Sequence, residues 1–334
     1  MRKAKTLAVA LVLLVAVACG DGTTPTTEPT AAPSSAKITV GFSAWPGWFP
    51  WQVAKEKGLF TKAGLDVDLQ YFESYTDSLN ALNAGKLDAN TQTLNDTISS
   101  VAAGSDQVVV LVNDNSTGND QIIAKPGITS TADLRGRTVG VEEGTVDHFL
   151  LLLGLREAGL GPNDISLQPL LTDAAASAFA AGKLDAVGVF APFTTKALEL
   201  EGSKALFTSK DFPGSIPDHL VVRRELLDRK ADVQKLVGVW FETLDWIKSH
   251  PAQALTIMAK RAGVSEAEYK AYDEGTTIFT LEQNLSAFEP GDDMSHLDFA
   301  AKTIAAFLKD AGFVKKVPDL DGILDASFVK ELAT

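Results

Sequence analysis

Trp45, Trp48 and Trp51 fall within seven residues, with Phe49 among them and Pro46, Gly47 and Pro50 shaping the turn. Ordinary burial spreads such rings along a helix or strand, so a short segment that concentrates them presents flat apolar surface to something. Trp51 reads as packing inward from a helix start, and Trp45 and Trp48, with Phe49, as pocket walls. As walls, Trp45 and Trp48 should be removable without much change in the melting temperature of the ligand-free chain. Acidic side chains fill the companion loops: Asp96, Asp114, Asp120, Glu142, Glu143, Asp147 and Asp218, alongside Ser43, Gln92, Asn95, Gly144, Thr145, Phe190 and His219. Those loops contain no lysine or arginine. A cation over an indole face gains about 0.5 to 2 kcal/mol, and a carboxylate adds a charge-assisted bond. The chemistry therefore suits an amine, a guanidine or urea-like molecule, or a zwitterion. The alternative is a simple anion, nitrate or an alkanesulfonate, which backbone N–H groups at a helix start near Gly144 and Thr145 could hold.

Each polar candidate has a second reading. Asp96 and Asp147 can cap helices, Asp120 can serve a crossover strand, and His219 is either a donor to the acidic end of a zwitterion or a hinge residue. His148, His250 and His296 read as helix or surface residues without a role. No Ser/His/Asp set, phosphate loop or Gly-rich dinucleotide motif is visible, and one cysteine builds neither a disulfide nor a multi-cysteine zinc site. No cofactor or metal is implied. With 43 acidic against 30 basic side chains the chain would be repelled by phosphate backbones, which excludes nucleic acid as partner.

The elements that must position these residues are strands and helices in alternation, an α/β pattern. Ile38, Val40 and Phe42 mark a first strand, a helix runs from about Pro50 to Lys57, and Leu65, Val67, Leu69 and Tyr71 mark a second strand. Asp77 is expected to cap the next helix, which exits at Gly85. The unit recurs: Val139 and Val141 as strand, Asp147 to Ala158 as helix, Ile165 and Leu167 as strand, and Asp173 capping a helix that exits at Gly182. The hexapeptide Ala84-Gly85-Lys86-Leu87-Asp88-Ala89 returns unchanged as Ala181 to Ala186, and Ala63-Gly64-Leu65 as Ala158-Gly159-Leu160. Helix-exit chemistry alone could explain each pair, but two pairs in the same order point to two halves of common architecture. A third segment reads as all helix: a stripe from Val233 to Ile247, a helix opened by Pro251, a capping box at Ser265 and Glu268, and a stripe from Leu297 to Leu308. With no strands of its own, it should pack on one of the α/β lobes, making that lobe discontinuous. Two open α/β lobes imply a cleft at the carboxyl ends of their strands.

Ahead of this body, Arg2, Lys3 and Lys5 precede an uncharged run from Leu7 to Ala18, the pattern of a secretory signal too short to span a bilayer. Residues 1–18 read as leader, and 19–36 as a Thr/Pro/Ser/Ala tether. Loss of the leader shifts the formal charge from −13 to −16. Ala16-Val17-Ala18-Cys19 resembles the lipobox of bacterial lipoproteins, which implies lipidation at Cys19 and anchorage to the outer face of the cell membrane.

Ala44-Trp45-Pro46-Gly47-Trp48-Phe49-Pro50-Trp51, followed by Ala54-Lys55-Glu56-Lys57-Gly58-Leu59-Phe60, resembles the opening of substrate-binding proteins of ABC importers in the nitrate, sulfonate and taurine group. Asn119 to Ile123 is similar to that group's crossover strand, and Asp133 to Gly140 to its entry into the second lobe. The resemblance covers about residues 37–330. It implies a bilobal type II periplasmic-binding fold: two open α/β lobes joined by two crossovers, with 37–120 plus 220–334 as one lobe and 121–219 as the other. It implies a monomer that closes on one small solute and delivers it to an ABC permease and its ATPase. The competing reading is an enzyme, because a fungal synthase of a thiamine-pyrimidine precursor shares the fold. That class needs a cofactor lysine and a cysteine-rich segment, and the sole cysteine here lies in the leader region. A third reading is a sensor module acting through a partner.

Overall fold

The computed structural model describes residues 36–334, so the leader, Cys19 and nearly all of the tether lie outside the described residues. Eleven strands follow in chain order: β1 Ile38–Ser43, β2 Val67–Phe72, β3 Ala89–Thr93, β4 Gln107–Ser116, β5 Asp120–Ala124, β6 Thr138–Val141, β7 Ser166–Pro169, β8 Ala186–Phe190, β9 Lys204–Thr208, β10 Pro217–Arg223 and β11 Thr276–Ile278. They form two sheets, ordered β11-β4-β10-β3-β1-β2 and β7-β6-β8-β5-β9. The chain leaves the first sheet after β4 and returns to it with β10.

The two halves are built alike. In the first, β1 lies parallel between β2 and β3; in the second, β6 lies parallel between β7 and β8. An antiparallel strand then flanks each trio, β10 beside β3 and β5 beside β8. The repeated hexapeptide occupies the same place in both. Asp88 Oδ2 accepts from the Thr39 amide at 2.8 Å and Asp185 Oδ2 from the Thr138 amide at 2.8 Å, so each aspartate ties its strand to the first strand of its half. A cation at the end of the flanking strand pairs with each, Arg223 as the last residue of β10 with Asp88 and Lys125 just past β5 with Asp185. A Cβ added at Gly41 would come within 2.4 Å of Leu87 Cδ1, and one at Gly140 within 2.5 Å of Leu184 Cδ1. Each leucine therefore needs a glycine beneath it. Leu87→Ala and Leu184→Ala should each cost about 2 to 5 kcal/mol, by similar amounts, in chemical denaturation. A cost at one site only would separate the two halves energetically.

Three local expectations need correction. Ser74, not Asp77, is the N-cap of the helix Tyr75–Asn83, because its hydroxyl accepts from the Asp77 amide and places Asp77 in the first turn. Leu171 stands at the N-cap of the helix Thr172–Ala180, with Asp173 likewise in the first turn. The third segment is not wholly helical, since β11 pairs antiparallel with β4 and extends the first sheet. Its helices do pack on that lobe: Val233, Leu236, Val237 and Trp240 of the helix Lys230–Ser249 are buried, and Trp240 meets Trp51 of the helix Pro50–Glu56 at 4.8 Å. Trp51 thus packs inward as expected. The capping box at Ser265 and Glu268 forms.

Candidate ligand-binding site

After β1 the chain turns sharply, with the Trp48 amide donating to the Trp45 carbonyl at 3.0 Å, before Pro50 opens a helix at its first turn. Trp45 Nε1 donates to Asp114 Oδ1 at 2.8 Å, and Tyr269 donates its hydroxyl to the Pro46 carbonyl. Gly47 lies directly on Asp114, where a Cβ would come within 1.9 Å of Oδ2. The loop is therefore seated on a carboxylate and held from two sides.

Between this loop and the second lobe is a cavity of about 10 Å³, room for about one water. Trp45, Trp48, Tyr75 and Phe190 are its aromatic walls, Ala44, Val146 and Ile216 its aliphatic ones, and Thr93, Asp120 and Asp218 its polar groups. Phe190 comes from the second sheet and stands 6.3 Å from both Trp45 and Tyr75 of the first, in edge-on geometry. A neighbouring cavity of the same size is lined by Ser43, Tyr75, Glu142, Thr172 and Phe190 among others. Larger hollows of about 340 and 500 Å³ lie elsewhere, under Pro46 and Leu244 and beside Pro213 and Met294. Neither gathers the buried acids.

The acids do gather at the seam. Asp96, Asp114, Asp120, Asp147 and Asp218 are all buried; Asp114 and Asp218 bond to each other through a shared proton, while Asp120 Oδ2 and Asp147 Oδ1 have no hydrogen-bond partner. Among the described residues, no lysine or arginine lines either cavity. Burial pushes the carboxyls of Asp96, Asp114 and Asp120 up to about 7. Burial, reinforced by neighbouring carboxylates, drives Asp147 and Asp218 well above the ordinary range. The pairing of β10 explains part of the crowding, since Asp218 lies directly opposite Asp114 on β4. Two carboxylates in that register would repel, which adds to burial in raising the Asp218 carboxyl. The arrangement attracts cations, and a group rich in N–H donors would satisfy the orphaned oxygens.

The sequence-derived candidates separate into three groups. Trp45, Trp48, Asp120, Phe190 and Asp218 line the central cavity and Ser43 the adjoining one. Asp96 and Asp147 sit one layer behind: Asp96 accepts from the Thr93 hydroxyl at 2.7 Å, and Asp147 shares the Thr172 hydroxyl with Glu142. Asn95, in the same first turn as Asp96, donates to it at 3.0 Å. The remaining candidates lie off the cavities. Phe49 is fully buried against Tyr269, and Gln92 bonds to Thr97 and Gln107. His219 is in strand β10 rather than a loop, paired in register with Gln92, and burial depresses it to about 3. Gly144 is exposed with its amide on His148, and Thr145 turns its hydroxyl to the Glu142 carbonyl. At this helix start it is the Val146 amide that donates, to the Asp96 carboxyl. His148 lies in the helix Val146–Glu157, half-buried, with its ring tilted against Phe313 at 4.8 Å. Tyr75 and Thr93 were not anticipated; the turn at Glu73-Ser74-Tyr75 follows β2, and applying the strand-end rule to β2 as well would have found Tyr75. Trp45 and Trp48, at 4% and 3% exposure, also belong to the hydrophobic core, so their removal cannot leave stability unchanged. Among the described residues no group of three or more His, Cys, Asp or Glu is placed to hold a metal ion, and no helix is long and apolar enough to cross a membrane.

A family model described as the NMT1-like family matches residues 31–263. A putative binding protein of Brucella abortus is 30% identical over 77% of this chain and 81% of its own length. The taurine-binding periplasmic protein of Escherichia coli is 26% identical over 80% of this chain and 85% of its own. Among solved structures, the periplasmic aliphatic sulphonate binding protein SsuA of Escherichia coli matches with a TM-score of 0.70 at 25% identity, covering 86% of this chain and 96% of that one. The desulfurization enzyme DSZB shares the fold at a TM-score of 0.62 and 18% identity, covering 88% of this chain and 98% of that one.

Proposed function

The chain belongs to the NMT1-like family, and from that premise we propose that it is the exported solute-binding component of an ABC importer whose solute carries a nitrogen cation or an array of N–H donors. The observation that carries the ligand class is the seam itself, where the buried acids Asp120 and Asp218 line a cavity walled by Trp45, Trp48, Tyr75 and Phe190 and no lysine or arginine joins them. The relatives are binding proteins by name, which supports capture and delivery over catalysis. Small-molecule pockets hold about 300 to 1,000 Å³. A cavity of about 10 Å³ must therefore widen to admit a solute. Parting of the two lobes supplies that space, and contacts made only when they meet favour the closed form. The closed body then docks on the permease and its ATPase as a monomer, with a lipid on Cys19 and the tether through residue 36 keeping it at the membrane.

An amino-sulfonate zwitterion is the second reading. Trp48 Nε1 is a buried donor without a partner, suited to an acidic oxygen at the far end of such a solute. A thermal-shift panel separates the possibilities: methylammonium, guanidinium, agmatine, urea and taurine against nitrate and ethanesulfonate. Protection by nitrogen cations or taurine is expected. Protection by nitrate or ethanesulfonate alone would overturn the ligand class.

A further inference from the structure

The Glu142 carboxylate does not face the central cavity. It lies just past β6 of the second lobe, is 4% exposed, and is spanned by donors from both lobes. Oε1 accepts from the Thr76 amide at 3.0 Å and from the Thr76 hydroxyl, both in the first lobe. Oε2 accepts from the Thr172 hydroxyl at 2.6 Å and the Thr172 amide at 3.3 Å, in the second. Thr76 and Thr172 stand in the first turns of the helices Tyr75–Asn83 and Thr172–Ala180. First-turn amides have no partner inside their own helix, and the helix dipole favours negative charge there. Two helix starts, one per lobe, thus converge on one carboxylate.

We propose that Glu142 is an interlobe latch: a built-in anion that closes the cleft by satisfying the first-turn donors of a helix in each lobe, and that occupies the place where an anionic solute could otherwise bridge them. The proposal rests on the bilobal fold and not on the ligand class, so the ligand panel can fail without it. Because the Thr76 amide has no helical partner, its exchange with solvent reports the latch directly. In Glu142→Ala, amide exchange at Thr76 should quicken on the order of tenfold or more, and the radius of gyration from small-angle scattering should rise. Acetate should reverse both by filling the gap, with sodium chloride at equal ionic strength as control. Thr76→Val, which removes only the hydroxyl, guards against misfolding of the first variant and should show a smaller change of the same sign. Unchanged Thr76 exchange in Glu142→Ala, or a change that acetate does not reverse, would overturn the latch. So would a Thr76 amide already unprotected in the unaltered chain.

Discussion

Asp218→Asn should weaken binding of a cationic solute by about thirtyfold to several thousandfold, the range for truncating one partner of a buried charged pair. The same substitution should raise the melting temperature of the ligand-free protein at any pH alkaline enough to ionise the Asp218 carboxyl. Asp218 is 1% exposed and stands opposite Asp114 across the β10 and β4 register, and burial together with that neighbour raises its carboxyl well above the ordinary range. Ionising it in that place is costly, and an amide of the same shape removes the charge. The pH dependence follows. Asp96, Asp114 and Asp120 titrate near 7 when folded, against about 4 when unfolded. The native state then holds more protons across that window, so this contribution to stability is complete below about pH 4 and is lost as pH rises through 7. His148 and His219, depressed to about 4 and 3, act oppositely and make stability climb until about pH 6.5. Above that point only the carboxyls remain. Melting temperature should therefore fall between pH 6.5 and 8 while affinity for the cation rises. Affinity that fell with pH would instead indicate an anionic solute. Such a trade of stability for binding is common where a site must hold unpaired groups ready.

What could be read from the sequence was local. The alternation at Ile38, Val40 and Phe42, the glycines at helix exits and the returning hexapeptide are properties of short segments, and the paired roles of Asp88 and Asp185 gave them a common structural meaning. The strand-end loops could be found for the same reason. Their convergence could not, because it depends on β10 inserting antiparallel between β3 and β4 more than a hundred residues after them. That insertion brings Asp218 to Asp114, and it places His219 inside a sheet although Pro217-Asp218-His219 looks like a polar turn. The latch was hidden for a related reason: Glu142 read as one loop acid among several, and only the meeting of two lobes shows that its partners are helix starts. The glycine at Gly144 pointed to a helix start, and there too a carboxyl is received, since the Val146 amide donates to Asp96 much as those of Thr76 and Thr172 donate to Glu142.

Trp45→Ala should destabilise the protein by about 3 to 5 kcal/mol and abolish ligand protection, whereas Trp45→Phe should retain most of the stability and lose part of the binding. The indole does two separable things. Its ring fills space between Trp48 at 6.5 Å and Phe190 at 6.3 Å, so truncation opens a hole where the lobes meet. Its N–H donates to Asp114, a bond that holds that carboxyl below where burial alone would put it. Alanine removes both, but phenylalanine keeps a ring and removes only the donor, at about 1 to 3 kcal/mol. Loss of the donor leaves Asp114 protonated to higher pH, so in Trp45→Phe the rise of cation affinity with pH should move upward relative to the unaltered chain. Urea denaturation and binding titrations from pH 6 to 9 read both effects. If alanine and phenylalanine destabilised equally, the ring would contribute nothing beyond its hydrogen bond. If the pH profile of Trp45→Phe did not move, Asp114 would have no share in holding the solute, and Asp120 and Asp218 would carry the charge recognition between them.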